Sequence, residues 1–164
     1  MIELPKSKYC HLDIKNGWLA ISLDNDKKKN ALSATLIDEI IKVFDIAGKS
    51  KQIRGILIKG KNGIFCSGAD LEELHQITYT KENREELSTR MSIRIGNLLQ
   101  TISNVPQITA SVIDGPCIAG GFGMACATDI MITMDSSIFK LSETQLGLTP
   151  AQIAPYILNR VNYS

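Results

Sequence analysis

The sequence predicts an α/β fold, organised as one domain over residues 1–164. Strand-like runs alternate with helix-like runs through the middle of the chain, as in a sheet whose parallel strands are joined by helical crossovers. Two glycine-containing loops, at residues 65–71 (FCSGADL) and 114–123 (DGPCIAGGFG), each stand between such a strand and such a helix. Apolar residues make up 44% of the chain, which is enough to fill one hydrophobic core.

The first elements are a hairpin and a helix. Asn16-Gly17 separates alternating runs at residues 10–15 and 18–23, and Asn-Gly is a preferred pair in a two-residue hairpin turn. Ser33 has the residue type of a helix N-cap. It opens a helix whose apolar side chains recur on one face, and Gly48 ends that helix.

The later elements follow from apolar periodicity and from the prolines and glycines that interrupt it. Asp70 with Glu73 resembles a capping pair at the start of the second helix. The predicted strands cover residues 53–59, 107–113, 130–134 and a short extended piece at 139–141. The predicted helices cover residues 71–76, most of 78–102 as one or two helices, 120–127 and 151–161.

Composition and charge exclude several classes of function. The formal net charge is +1 and aromatic residues make up 5% of the chain, so nothing indicates a nucleic-acid surface. No apolar run is long enough to span a bilayer, and residues 1–6 lack the apolar core of a signal peptide. We therefore expect a cytoplasmic protein with neither nucleic acid nor membrane among its partners.

The four cysteines and two histidines do not predict a metal site. The cysteines form no CxxC pair, and the histidines lie at no zinc-ligand spacing. Cys66 and Cys117 lie in the two glycine loops, where a thiol is either a nucleophile or small apolar filler. A nucleophilic thiol usually needs a base, and neither His11 nor His75 is placed to supply one.

Each glycine loop has a chemical and a structural interpretation. Gly120-Gly121 lets a ligand approach the backbone at the start of a helix, where N–H groups favour a phosphate or a developing oxyanion. The same pair also suits a tight turn from strand to helix without a ligand. In the first loop, Asp70 is either a helix cap or a catalytic acid.

Two charged features accompany the loops. Glu143 follows the second loop in a mostly apolar neighbourhood, where partial burial would suit it to proton transfer. The alternative is a solvated glutamate on the surface. The lysines at residues 27–29 form either a solvated loop or a contact for the phosphates of a nucleotide-like ligand.

Taken together, these motifs resemble the crotonase, or enoyl-CoA hydratase/isomerase, superfamily. Each marker is weak alone, but their order and spacing together are specific and extend over nearly all of the chain. The markers are residues 30–32 (NAL), 65–71, the loop at 115–123, residues 128–130 (TDI) and residues 139–150.

The resemblance implies a crotonase-type spiral of ββα units and an acyl-CoA substrate. It also implies that the backbone N–H groups of Ala69 and Gly120 bind the thioester oxygen and that Glu143 is the acid/base group, which makes these the three catalytic positions. Contacts with the substrate or its CoA moiety are implied for Lys28, Asn30, Ala31, Ser67, Gly68, Asp70, Leu71, Gly121 and Gly123. No metal or other cofactor is implied, because coenzyme A enters as part of the substrate.

One departure from the family pattern concerns the acid/base groups. Well-studied hydratases hold the attacking water with a pair of glutamates, and the position of the first is Gly123 here. A single carboxylate still permits hydration if it both orients water and returns a proton, and it also suits double-bond isomerisation. Residues 141–156 are similar to the bacterial methylglutaconyl-CoA hydratase-like branch, which tolerates glycine at the first position.

The second departure is length. Family members continue with C-terminal helices that complete the acyl-CoA pocket and pack in a trimer. We expect that helical part to be missing from residues 1–164. At full length, the resemblance implies a homo-oligomer, as a trimer or a dimer of trimers.

The sequence thus predicts an enoyl-CoA hydratase, a lyase of fatty-acid or branched-chain amino-acid catabolism. One alternative is an enoyl-CoA isomerase, and another is a decarboxylase or thioester hydrolase on the same scaffold. A third is a catalytically silent acyl-CoA-binding fragment, either an assembly subunit or a truncated remnant.

Overall fold

The fold is α/β, as predicted, and the computed structural model describes residues 2–80 and 82–161. The strands are β1 (Cys10–Lys15), β2 (Trp18–Leu23), β3 (Gly55–Gly60), β4 (Ile108–Ile113), β5 (Pro116–Ile118), β6 (Ile130–Thr133) and β7 (Ile138–Lys140). The helices are α1 (Ala34–Gly48), α2 (Leu71–Tyr79), α3 (Arg84–Asn104), α4 (Gly120–Cys126) and α5 (Ala154–Leu158). A large sheet has the order β1-β2-β3-β4-β6, in which only the β1–β2 pair is antiparallel.

The hairpin forms because its turn has the backbone that Asn-Gly favours. Asn16 and Gly17 have φ angles of 53° and 79°, and positive φ at both central positions is the mark of a type I′ turn. Strand β2 then pairs with β3 on its other side, and Leu19, Ile21 and Leu23 are fully buried. The hairpin therefore joins the core of the domain through one face of β2.

Short extended segments form a second layer in the same order as the strands of the large sheet. Leu32 follows β2 and bridges to Ala69, Cys66 follows β3 and bridges to Cys117 of β5, and β5 pairs with β7. Each segment leads into a helix or into the 3₁₀ turn Glu143–Leu146. This recurrence of strand, second strand and helix is the ββα spiral that the resemblance implied, and it places successive helix starts side by side.

Helix α1 begins where the sequence predicted. The Ser33 hydroxyl accepts a hydrogen bond from Leu36 N–H at 3.3 Å, as an N-cap does. The start of this helix has a second cap from elsewhere in the chain, because Ala34 N–H donates to both carboxylate oxygens of Glu73, at 3.0 and 3.1 Å. A carboxylate at the N-terminus of a helix also interacts favourably with the positive end of the helix dipole.

Of the capping pair predicted for α2, Asp70 is confirmed as the cap and Glu73 is wrong as its partner. Asp70 does cap α2, because its Oδ1 atom accepts from Glu72 N–H at 2.9 Å. Glu73 does not close the pair, since its carboxylate is bonded to the start of α1.

The helices differ from prediction in two other places. Of the alternatives for residues 78–102, one helix, α3, forms over most of the segment, and residues 78–79 are the end of α2. Asn83 at the start of α3 has left-handed backbone with φ of 60°. Helix α5 is five residues long, shorter than the predicted 151–161. Pro155 sets its start, because it has no N–H for a bond to residue 151 and is tolerated only in the first turn. Within the described ranges, no helix is both long and apolar enough to cross a membrane.

One edge of the large sheet is apolar and exposed. Strand β6 is last in the strand order, and its Ile130 and Ile132 are 47% and 46% exposed. Met134, directly after β6, and Ile138 in β7 are exposed as well. We call these four residues the β6 edge.

Candidate active site

The first glycine loop is held against the lysine loop by backbone hydrogen bonds. Ser67 N–H donates to the carbonyl of Lys29 at 3.1 Å, and Leu32 N–H donates to the carbonyl of Gly68 at 2.7 Å. The Gly68 carbonyl and the Ala69 N–H belong to one trans peptide unit, so they point in opposite directions. The Ala69 N–H therefore points away from Leu32, and it has no acceptor among the described residues.

The second glycine loop turns sharply just before Gly120. Ala119 has φ of 50° and ψ of −120°, which is uncommon for a residue with a Cβ atom and marks local strain. Ala119 N–H donates to the carbonyl of Lys140 at 2.8 Å, so β7 fixes this turn. Gly120 N–H, at the start of α4, is also without an acceptor in the described part of the chain.

The two loops touch each other. A Cβ atom added at Gly68 would lie 3.0 Å from the Cβ of Ala119 and 3.8 Å from the nitrogen of Gly120. The N–H groups predicted to bind the thioester oxygen thus belong to neighbouring segments, and neither has an acceptor among the residues that the structure describes.

A cavity of about 530 Å³ lies beside the first loop. Its lining brings together six of the predicted sites: Lys28, Ala31, Ser67, Ala69, Asp70 and Leu71. Gly120 and Glu143 lie outside this lining, although Ser142 and Gln145 on either side of Glu143 are part of it. Ser142, Gln145 and Glu72 also line the cavity and were not among the predicted sites, although they lie close in sequence to Glu143 and Asp70.

Lys28 is paired with two carboxylates at this cavity. Its Nζ atom donates to Asp70 Oδ2 at 2.6 Å and to Glu72 Oε2 at 2.7 Å. These hydrogen bonds, first that to Asp70 and then that to Glu72, raise the pKa of Lys28 above its usual value. The side chain of Asp70 is 2% exposed, whereas that of Glu72 is 76% exposed.

Glu143 stands at the start of the 3₁₀ turn and is partly buried. Its Oε2 atom is buried and has no hydrogen-bond partner among the described residues. Burying a carboxylate oxygen without a partner costs free energy, so such an atom indicates a place where a water or a ligand binds.

Two other predicted sites, Asn30 and Gly121, serve loop structure and packing. Asn30 uses its side chain within the protein, since Oδ1 accepts from Asn25 N–H and Nδ2 donates to the carbonyl of Ile64, each at 2.8 Å. A Cβ atom at Gly121 would lie 2.6 Å from the Cβ of Cys66, so this glycine permits close packing of α4 on the first loop. The substrate contacts predicted for these two residues stay predictions.

Gly123 is packed against the side chain of Ile153, the residue just before α5. A Cβ atom at Gly123 would lie 2.3 Å from Cγ2 and 2.6 Å from Cβ of Ile153, which is 3% exposed. The position of the family's first glutamate is therefore filled by an apolar side chain from a later element, which no pattern around residue 123 in the sequence indicates.

The cysteines in the two loops are buried, which favours their interpretation as filler. Cys66 and Cys117 are both fully buried, and burial raises the pKa of the Cys66 thiol to about 12. Burial also raises the pKa of Cys117. A thiol must ionise to act as a nucleophile, and these environments oppose ionisation.

Comparison with known proteins establishes the class to which this fold and site belong. Residues 13–162 match the family described as enoyl-CoA hydratase/isomerase, and the chain belongs to that family. The crystal structure of an enoyl-CoA hydratase/isomerase from Marinobacter aquaeolei has a TM-score of 0.87 with this chain at 27% identity, covering 94% of this chain and 59% of the other. The crotonase fold and superfamily are thus confirmed.

Two curated relatives have the same sequence identity to this chain. The enoyl-CoA hydratase AFT6-1 of Alternaria alternata is 34% identical over 143 residues, which cover 87% of this chain and 45% of that protein. The mitochondrial methylglutaconyl-CoA hydratase of Mus musculus is 34% identical over 142 residues, covering 85% and 43%. The chain spans a little under half the length of these relatives, and their equal identity does not favour one acyl group over another.

Proposed function

We propose that this chain carries the reaction centre of an enoyl-CoA hydratase, which adds water across the double bond next to the thioester. The observation that carries the proposal is the buried Oε2 atom of Glu143, which has no partner in the described chain. The unbonded N–H groups of Ala69 and Gly120, on loops that touch, support their assignment as the oxyanion hole.

In the proposed reaction, the N–H groups of Ala69 and Gly120 donate to the thioester oxygen. Glu143 removes a proton from water as the water oxygen bonds to the β-carbon. The electron pair of the double bond moves towards the carbonyl, so that negative charge develops on the oxygen between the two donors. Glu143 then returns its proton to the α-carbon. One carboxylate acts first as base and then as acid, and the reaction as proposed uses neither a metal nor a redox cofactor.

We assign the CoA moiety to the cavity beside the first glycine loop. The lysines at residues 27–29 line it, and ammonium groups suit the phosphates of CoA. Ala31 and the exposed Leu71 add apolar surface at its wall. The homo-oligomer and the cytoplasmic location stay predictions.

A double-bond isomerase is the second candidate, and the packing at Gly123 favours it. Ile153 fills the space beside Gly123, so the site as built has no room there for a second carboxylate. Isomerisation needs a single base that carries a proton between two carbons, and Glu143 alone satisfies that need.

The test is replacement of Glu143 by glutamine, which keeps the shape of the side chain and removes its basicity. We expect hydration of crotonyl-CoA, followed by loss of the conjugated thioester absorbance, to fall about 100-fold or more while acyl-CoA binding is kept. Glu85→Gln, on the exposed first turn of α3, is the matched control and should leave turnover unchanged.

The substrate panel separates the candidates. Glutamate-dependent hydration of crotonyl-CoA or 3-methylglutaconyl-CoA, with the hydroxyacyl product confirmed by mass, supports the hydratase. Conversion of a 3-enoyl-CoA to the conjugated isomer without added mass supports the isomerase. Unchanged turnover in Glu143→Gln would remove this residue from either mechanism.

A further inference from the structure

The carboxylate of Asp70 poses an electrostatic problem for an oxyanion site. Asp70 directly follows Ala69 in the chain, both residues line the same cavity, and the Asp70 side chain is 2% exposed. A buried negative charge is poorly screened by solvent. It therefore opposes negative charge that develops on an oxygen bound at the neighbouring N–H.

The ammonium group of Lys28 lies against the Asp70 carboxylate. Lys28 Nζ lies 2.6 Å from Asp70 Oδ2, across a separation of 42 residues in sequence, while Asp70 Oδ1 is used to cap α2. Two further hydrogen bonds hold the first glycine loop against the lysines. The Ser67 hydroxyl donates to the carbonyl of Lys28 at 3.2 Å, and Ser67 N–H donates to the carbonyl of Lys29. The ammonium group of Lys28 is therefore already engaged at the wall of the cavity.

The three lysines at residues 27–29 line the same cavity but differ in their ion pairs. We propose that Lys28 is a positioning residue, which neutralises Asp70 and fixes the Ala69 loop, and that Lys27 and Lys29 take the CoA phosphates. The proposal rests on the proposed function, since it concerns the same oxyanion site. Lys27 and Lys29 line the cavity and, among the described residues, have no ion pair.

The experiment compares Lys28→Met, Asp70→Asn and the double variant, with crotonyl-CoA and with crotonyl-pantetheine, which lacks the nucleotide phosphates. Lys28→Met leaves Asp70 uncompensated, so we expect kcat to fall about 10-fold with both thioesters while KM changes little. That is a smaller loss than the roughly 100- to 1,000-fold that follows removal of a whole oxyanion donor. Asparagine keeps the helix cap. The double variant, with neither charge, should recover kcat to within about 3-fold of the unmodified chain.

Variants of two other lysines distinguish phosphate binding from the proposed role of Lys28. Lys27→Met should raise KM for crotonyl-CoA and not for crotonyl-pantetheine. Lys42→Met, on an exposed position of α1, should change neither constant. A KM increase for the CoA ester alone in Lys28→Met would show that Lys28 binds phosphate and would overturn the proposal. Failure of Asp70→Asn to rescue kcat would overturn the role of charge compensation.

A second readout does not need turnover. Butyryl-CoA with a ¹³C-labelled carbonyl has no double bond to hydrate, and the shift of its infrared carbonyl band on binding reports polarisation by the oxyanion donors. We expect a smaller shift in Lys28→Met, restored in the double variant, with similar affinity throughout. An unmodified chain that polarises butyryl-CoA but does not hydrate crotonyl-CoA would overturn the proposed hydratase and leave this inference standing. Equal shifts in all variants would overturn the inference alone, and absence of binding would overturn both.

Discussion

Replacement of Gly123 by alanine tests the close packing of Ile153 against α4. Gly123 lies inside α4, where glycine to alanine normally stabilises a helix by about 1 kcal/mol. Here the added Cβ would lie 2.3 Å from Cγ2 and 2.6 Å from Cβ of Ile153. Because Ile153 is branched at that carbon and buried, it cannot swing aside, and overpacking of this kind costs about 1–3 kcal/mol.

The expected net effect is a loss of stability of up to about 2 kcal/mol, opposite in sign to the helix propensity. For a chain of this size that corresponds to a fall in melting temperature of about 2–4 °C for each kcal/mol. Urea denaturation measures the free energy of unfolding directly, and the m value reports whether the transition keeps its cooperativity.

Two comparisons make the result decisive. Gly96→Ala in α3 is the matched control, since its added Cβ would meet only the side-chain amide of Gln152, with Oε1 at 2.7 Å and Cδ at 3.4 Å, and that flexible side chain can move. It should stabilise the chain by up to about 1 kcal/mol. In an Ile153→Ala background, itself costing about 2–5 kcal/mol, Gly123→Ala should become neutral or stabilising. A gain of stability from Gly123→Ala in the unmodified chain would refute the packing argument.

Two further predictions concern stability. Ser33→Ala removes the side-chain cap of α1 and should lower the free energy of unfolding by about 1 kcal/mol, measured by urea denaturation; no change would mean that Glu73 caps the helix sufficiently alone. Burial raises the pKa of Cys66 from 9.0 to about 12, so its thiol ionises in the unfolded chain first, and the free energy of unfolding should fall as pH rises from about 9 to 12. Cys66→Ala should show a shallower fall over the same pH range, whereas an identical slope would show that this thiol does not contribute.

The elements that the sequence predicted well are those whose signals are local. The backbone preferences of Asn16 and Gly17 alone predict the turn type of the hairpin. Ser33 and the apolar residues that follow it on one face predict α1 from residues that are close in sequence. The family markers also gave the ββα spiral, because they lie at the junctions of strand and helix. The helix predicted over 151–161 begins too early, because the apolar spacing runs across Pro155 whereas a proline is tolerated only in the first turn.

The features that escaped prediction join residues far apart in the chain. The bond from Ala34 to Glu73 spans 39 residues, and the pair of Lys28 and Asp70 spans 42. Neither follows from spacing, because both depend on which second-layer segments become neighbours. The contact of Ile153 with Gly123 is of the same kind.

The β6 edge has a consequence for how this chain behaves at high concentration. An edge strand presents unpaired N–H and C=O groups, and exposed isoleucines beside them favour pairing with another copy. We expect light scattering to rise with protein concentration, and more steeply as sulfate is added, because sulfate strengthens apolar association. Catalytic rates are therefore best compared at the dilute end of a concentration series, where the rate per mole of chain is constant.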